Sequence, residues 1–228
     1  MTAEKEPTPR IEEYLESIVN MIAEGKSVLA ARLAERLGLT PATVSATIQR
    51  MARDGLIKTN QDKEIALTEK GSRMALTVLR RHRLAERLLF DVLGIEWHEL
   101  HEEACLLEHA ISARVEERLN QVLKNPACCP HGNPIPGGDT LPPSKGIPLS
   151  SVQQGTRVAV ERITEEATRD SRLMEYLHSV GVVPGAIFEV KQAYPYAGTL
   201  VIDFGGREVT IGLNAADTVW VRPEPQPQ

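Results

Sequence analysis

The sequence predicts a mainly α chain that ends in a small β domain, and three observations carry that prediction. Residues 74 to 124 are almost free of Gly and Pro and keep a helical hydrophobic period. Residues 125 to 150 are dense in Pro and Gly and read as a linker. Beyond them the apolar residues alternate, at Val158 and Val160 and then in VIDF, EVTI and TVWV, as strands do. The 228 residues thus divide into units at 1–74, 75–150 (with the linker from about 125) and 151–228. The tail PEPQPQ is Pro-rich, which predicts disorder.

Within the first unit, Ile11 to Ala23 is an amphipathic helix with Leu15, Ile18, Val19 and Ile22 on one side. Val28 to Leu37 is a second helix, closed by Gly38. A third begins at LTPATVSATIQRMARDG. Thr40 is its N-cap, Pro41 its first residue, and Gly55 its stop. Val44, Ile48 and Met51 face inward at helical spacing. LIKTNQDKEIALT then reads as strand, turn, strand, with the turn at residues 60–63. Helix, short turn, helix and β-ribbon make the winged helix-turn-helix pattern.

A helix that enters the major groove needs small and polar groups at its leading end. Thr40, Ala42, Thr43, Ser45, Ala46 and Thr47 are such groups. Arg50 and Arg53 follow where phosphates pass, and Lys58 and Lys63 belong to the wing. The net charge of −5 looks wrong for a nucleic-acid binder, but it hides a gradient. Residues 26 to 73 hold nine Lys and Arg against five Asp and Glu, whereas residues 1 to 25 hold two against six. On charge alone this island reads as a solvated helical surface; taken together with the helix pattern and the wing it reads as an electrostatic footprint for phosphate. With only Gln49 as a bidentate amide on the exposed face, methyl contacts and DNA shape carry much of the expected specificity.

Composition sets the outer bounds. Hydrophobic residues at 42% and charged residues at 25% exclude a mostly disordered chain. No apolar run is long enough to span a membrane, and the acidic start lacks a secretory layout, so a cytoplasmic chain with no membrane partner is expected. Three cysteines, Cys105, Cys128 and Cys129, argue against a disulfide framework.

The second unit holds the coordination chemistry. His82 and Glu86 are four apart and share a helical face. In HELHEEACLLEHAI, the residues His101, Cys105, Glu108 and His109 fall at spacings of four, three and one and form one stripe. Imidazole, thiolate and carboxylate on one stripe suit a divalent transition ion. One helix cannot close a coordination sphere, so Glu12, Glu13 and Glu16 of the first helix are candidates to complete it. Cys128, Cys129 and His131 fit no zinc spacing and are read as linker residues. No HExxH run, nucleophile elbow or phosphate loop occurs, which argues against an enzyme. Two other classes fit the residues alone: a winged-helix regulator that senses a small organic effector, and a non-regulatory metalloprotein.

The runs PATVSATIQRMARDGLI, RRHRLAERLL, HEEACLLEHAIS and HGNPIPG, in this order, resemble the diphtheria toxin repressor family of iron- and manganese-dependent transcriptional regulators. The resemblance covers about residues 9 to 222 and includes a C-terminal SH3-like β-barrel domain. It implies a homodimer that binds a palindromic double-stranded DNA operator when loaded with a divalent metal, and so represses metal-homeostasis genes. Carried over residue by residue, it implies a regulatory site of Cys105, Glu108 and His109 closed by Glu13, and an ancillary site of His82, Glu86 and His101. It also implies that Thr40, Thr43 and Ser45 touch DNA.

Three departures from the family pattern matter. Iron-type members carry Met, and manganese-type members Asp, where this chain has Glu13. Manganese-type members carry Glu where it keeps Cys105. The hybrid implies Mn(II) or Fe(II), with the carboxylate tilting the choice to manganese and the thiolate admitting Co(II), Ni(II), Zn(II) or Cd(II) in vitro. Ala46 stands where iron-type relatives have Gln. The donors that the SH3-like domain lends in relatives have no clean match, and Asp170 is the nearest acid. Dimerisation is expected through Leu88, Leu89, Val92, Leu106, Ile111 and Val115.

Overall fold

In a computed structural model, residues 8–138, 140–142 and 144–224 are described. The acidic residues 1–7 and residues 225–228 of the Pro-rich tail lie outside them. Helix α1 spans Pro9–Ala23, with proline in its first turn, and buries Ile11, Tyr14, Leu15 and Ile18. Helix α2 (Ala30–Leu37) ends on Gly38, whose φ of 63° is the left-handed conformation that glycine adopts at least cost. Helix α3 (Pro41–Arg53) starts as the sequence predicts: Thr40 Oγ1 accepts from the Thr43 backbone N–H at 3.2 Å. Strands β1 (Ile57–Thr59) and β2 (Ile65–Leu67) pair antiparallel to form the wing. One core of Leu15, Ile18, Leu33, Val44, Met51, Ile57 and Ile65 holds these elements together, joined by Leu79 of the next helix.

That helix, α4 (Glu69–Asp91), is capped by Thr68 and runs unbroken past residues 74–75. The compositional boundary therefore falls inside it, and its two ends serve different units. Its first turn carries Gly71 because nothing larger fits: a Cβ there would lie 1.9 Å from the Leu56 carbonyl oxygen. Helix α5 (Leu100–Leu107) tightens into a 3-10 turn at Glu108–Ala110, and α6 (Ala113–Val122) follows its Ser112 cap.

The Pro-rich stretch corrects the linker expectation in part. Cys129, His131, Asn133 and Ile135 are buried. The Ile163 N–H donates to the His131 carbonyl at 2.9 Å, and the Asn133 amide donates to the Ile163 carbonyl at 2.8 Å. Buried backbone must find partners, and this segment finds them on the neighbouring domain.

That domain is a six-stranded antiparallel sheet in the order β3-β8-β4-β5-β6-β7. Its strands are β3 (Ile147–Pro148), β4 (Arg157–Ile163), β5 (Ile187–Tyr194), β6 (Thr199–Asp203), β7 (Glu208–Gly212) and β8 (Val219–Pro223). Helices α7 (Ser171–Val180) and α8 (Leu213–Thr218) interrupt the period-two pattern. Val158, Ile163, Val190 and Ile202 of the sheet share one continuous core with Ala85, Leu89, Trp97, Leu100 and Ile111 of the helical unit.

This packing corrects the expected dimer face. Leu89 and Ile111 fill that core and are buried, whereas Val92, Leu106 and Val115 are exposed and Leu88 is half-buried. Phe90, Leu93 and Val122 are exposed beside them on the same helical unit.

Candidate metal centre and reading helix

His82 sits at the middle of α4 and is fully buried. Its Nδ1 lies 2.6 Å from Glu108 Oε2 and 3.7 Å from Glu16 Oε1 of α1. Its Nε2 lies 3.4 Å from Glu86 Oε1, one turn on, and 3.3 Å from Glu165 Oε1, just beyond β4. Two imidazole nitrogens thus face four carboxylates from four segments of the chain. His101 of α5 joins them, with Nδ1 3.5 Å from Glu165 Oε1 and Nε2 3.6 Å from Cys105 Sγ.

Four groups of donor atoms each fall within 4.8 Å: His82, His101 and Cys105; His82, Glu86, His101 and Glu165; Glu16, His82 and Glu108; and Glu86, Cys129 and His131. The expected set of His82, Glu86 and His101 is brought together. The set of Cys105, Glu108 and His109 is not brought together: Cys105 and Glu108 fall in different groups, and His109 in none. His109 Nδ1 meets Glu12 Oε2 at 2.5 Å, and its Nε2 is 3.4 Å from Glu108 Oε1. Glu13 is exposed and belongs to none of the four groups. The cause is helical phase: Glu12 and Glu16 are one turn apart on one face, and Glu13 is about 100° round from Glu12.

Asp170 is corrected outright. Its Oδ1 accepts from the N–H groups of Arg172 and Leu173, both at 3.1 Å, as the N-cap of α7. The C-terminal domain brings Glu165 to the centre instead. No periodicity marks Glu165, because the turn after β4, not a helix face, places it. Cys129 and His131 are corrected too: they are buried beside Glu86, and only Cys128 is exposed.

The electrostatics are those of crowded donors. Burial, and then the Glu108 charge, push the Glu16 carboxyl up to about 7. Burial opposes a charged His82, yet Glu16, Cys105, Glu108 and Glu165 raise it well above its ordinary value. Burial likewise opposes a charged His101, but Cys105 and Glu165 push it up to about 10. Burial works against the Cys105 thiolate, and the two histidines hold the thiol below its usual range all the same. Arg83 is the nearest fixed cation, with Nη2 3.3 Å from Glu165 Oε2 and 3.1 Å from Asn20 Oδ1.

The residues fit a divalent ion. Glu16 Oε1, His82 Nε2, Glu86 Oε2, His101 Nδ1 and Glu165 Oε1 are buried with no hydrogen-bond partner among the described residues. Buried polar atoms are costly to leave unpaired, and all of these but Glu86 Oε2 lie within 3.7 Å of another donor of the set. Nitrogen, oxygen and sulfur in one buried set are what first-row divalent ions take.

The reading helix lies beside the first turn of α1, where Thr43, Ala46 and Arg50 line one cleft with Thr8, Arg10 and Ile11. Thr40, Ala42, Ser45, Ala46, Arg50 and Arg53 of α3 and its cap are exposed, and Thr43 is half-buried. Lys63 stands exposed on the wing turn, at a φ of 61°. The Thr40 and Thr43 hydroxyls are 2.9 Å apart, so the cap also fixes a hydroxyl pair at the leading end. Thr40→Ala is expected to lower stability by about 1 kcal/mol, read by thermal unfolding, and Thr40→Ser to restore it. Equal melting of Thr40→Ala and the parent would remove the capping role.

Residues 6–65 match the family described as iron dependent repressor, N-terminal DNA binding domain. Residues 68–137 match the iron dependent repressor metal binding and dimerisation domain, and residues 147–223 match the FeoA domain. The chain is 43% identical over 220 residues to the iron-dependent repressor IdeR of Mycobacterium tuberculosis, covering 92% of this chain and 95% of that protein. It is 46% identical over 218 residues to the diphtheria toxin repressor of Corynebacterium glutamicum, covering 92% and 94%. Among solved structures it resembles a manganese-dependent transcriptional repressor in complex with manganese, with a TM-score of 0.84 and 33% identity over 94% of this chain and 100% of that one.

Proposed function

Because the chain belongs to the iron-dependent repressor family, and is a metal-dependent DNA-binding repressor rather than an enzyme, we propose that a divalent ion held around His82 fixes the attitude of its reading helix. The observation that supports this is the span of the donor set. Glu16 rides on α1, which packs in the core of the DNA-binding unit. His82, Glu86, His101, Cys105 and Glu108 ride on α4, α5 and the 3-10 turn, and Glu165 rides on the C-terminal domain. An ion shared by these donors ties three bodies into one arrangement.

The ion is Mn(II) or Fe(II). Four buried carboxylates make the set hard and tilt it towards manganese, while Cys105 and the imidazoles keep it open to iron, cobalt, nickel, zinc and cadmium in vitro. Within it, Glu16 is the donor that geometry supports on α1. Glu13 is the donor that family resemblance assigns, and it reaches Cys105, Glu108 and His109 by a turn of α1 that displaces Glu12 from His109. Without the ion, the carboxylates repel one another and the joint loosens. Binding of the ion then shifts the population towards the DNA-competent arrangement.

The repressor acts as a homodimer. Two reading helices related by a twofold axis call for a palindromic operator, its half-sites one turn of DNA apart or a multiple of that. Thr40, Ala42, Thr43, Ser45 and Ala46 face the bases, and Arg50, Arg53 and Lys63 face phosphates. The site of action is the cytoplasm, where operator DNA is.

The test is operator binding titrated with Mn(II), Fe(II), Co(II) and Zn(II) under anaerobic conditions, for the parent and for Glu13→Ala. The parent is expected to bind tightly only when loaded. Glu13→Ala is expected to lose the metal response while remaining a folded dimer in sedimentation. Stripped parent that binds as tightly as loaded parent would overturn the reading. An unchanged response in Glu13→Ala would leave Glu16 as the link from α1.

A further inference from the structure

We propose that Glu166 and Arg169 are positioning residues for the reading helix, by which the C-terminal domain passes metal occupancy directly to α2. The inference rests on the proposed function, because Glu165 of the same turn is a donor to the ion held around His82. It adds a second route to the reading helix, one that ends on α2 rather than on α1.

The turn after β4 faces two ways. On one side Glu165 Oε1 lies 3.3 Å from His82 Nε2 and 3.5 Å from His101 Nδ1. On the other, Glu166 pairs with Lys26, and its Oε2 lies 3.7 Å from Arg36 Nη1. Arg169 Nη1 donates to the Arg36 carbonyl. That carbonyl belongs to the last turn of α2, where a helix leaves its carbonyls without intrahelical partners. A cation there also meets the negative end of the helix. The Glu24 carboxylate, at the end of α1, holds both cations of the reading unit in place. Its side chain is 2% exposed, and its Oε2 lies 3.2 Å from Lys26 Nζ and 3.3 Å from Arg36 Nη1.

The turn is braced as a lever must be. The Thr164 N–H donates to the Thr218 carbonyl at 2.8 Å, and the Ala167 N–H to the Thr164 carbonyl at 3.0 Å. The Thr168 hydroxyl donates to the Glu165 carbonyl at 2.9 Å. Ala167 is buried in the core that holds the sheet, and Ala167–Arg169 form a 3-10 turn. An ion that draws Glu165 towards His82 therefore moves Glu166 and Arg169 with it.

Charge, rather than apolar packing, makes the joint. Leu33 and Ala34 of α2 share a core with Val44 and Met51 of α3, so α2 carries the reading helix with it. That core holds no described residue of the C-terminal domain. A cleft of about 530 Å³ opens where the two meet, and Met21 is the one apolar side chain beside Lys26, Arg32, Glu35, Arg36, Glu166 and Arg169 in its lining. Domains that meet through polar contacts move relative to one another unless something fixes them. Here the ionic contacts are what fix α2.

The test is operator binding by the full-length dimer, at saturating Mn(II) and after stripping, for the parent and for Glu166→Gln with Arg169→Gln. Both proteins are expected to hold the same number of Mn(II) equivalents per chain. Residues on such a route change coupling by about 2–30-fold. The loaded double variant is expected to bind operator at least about threefold more weakly than the loaded parent, with the stripped forms alike within about 1.5-fold. A cycle of Lys26→Gln and Glu166→Gln tests the pairing itself. Lys26→Gln is expected to weaken loaded binding by at least about twofold in the parent and to have no further effect in Glu166→Gln. A lysine that acted on DNA by itself would weaken both alike. Glu166 is half exposed, so this cycle also decides the matter if the double variant does not fold. A smaller loss in the folded double variant, an equal loss in its stripped form, or a Lys26→Gln effect undiminished by Glu166→Gln would each overturn the inference. If the parent still answers to metal in those cases, the repressor reading stands and only this inference falls. A parent whose operator binding ignores metal would overturn both.

Discussion

His82→Gln is expected to collapse the metal response of operator binding. In the parent, metal should tighten operator binding by about 5–150-fold, the usual span of coupling between two sites. In the variant that ratio should fall close to one. No other side chain touches as much of the centre: His82 meets Glu16, Glu86, Glu108 and Glu165 through its two nitrogens. Without it, α1 loses its imidazole link to α4. The variant also leaves four buried carboxylates with one fewer cationic partner, and breaking a buried charge network costs about 3–5 kcal/mol. Circular dichroism and sedimentation should therefore accompany the gel-shift titration. A folded His82→Gln dimer that responds to Mn(II) within about twofold of the parent would contradict the hub role.

Gly71→Ala is expected to destabilise the protein, against what helix propensity alone suggests. Alanine in a helix is favoured over glycine by about 1 kcal/mol. Here the new methyl would lie 1.9 Å from the Leu56 carbonyl oxygen and 2.8 Å from its carbon, both backbone atoms. That oxygen also accepts from the Thr68 N–H at 3.0 Å, so it cannot move without loosening the junction of wing and α4. Overpacking of this kind costs about 3 kcal/mol. The melting temperature should fall by roughly 6–12 °C for a chain of this size. Equal or higher melting would show that the wing yields freely at Leu56. The junction matters for function because α4 begins beside the wing and carries His82 just past its middle.

Local features were legible in the sequence where neighbours in the chain are also neighbours in space. Thr40, Pro41 and Gly55 bound the reading helix because caps and stops act within a few residues. His82 with Glu86, and His101 with Cys105, could be paired because one helical turn brings them together. Glu165 and His131 could not be foreseen as donors, since a strand end and a tight loop deliver them from distant sequence. The choice among Glu12, Glu13 and Glu16 was equally hidden. All three are polar residues on one amphipathic helix, and the burial of Tyr14, Leu15 and Ile18 sets which face meets α4. Leu89 and Val92 were indistinguishable for a related reason. Both are apolar on the same stretch, but Leu89 is buried in the shared core and Val92 is left exposed. Hydrophobic pattern says that a face wants a partner, not which partner it gets.

The central claim is that metal and operator select the same arrangement of α1 on α4, so each must strengthen the other. The most direct measurement is the Mn(II) affinity of the dimer with and without saturating operator, set beside the operator affinity with and without Mn(II). Linkage requires one factor for both. The prediction is that operator tightens Mn(II) binding by the same multiple as Mn(II) tightens operator binding. A Mn(II) affinity untouched by operator would contradict it.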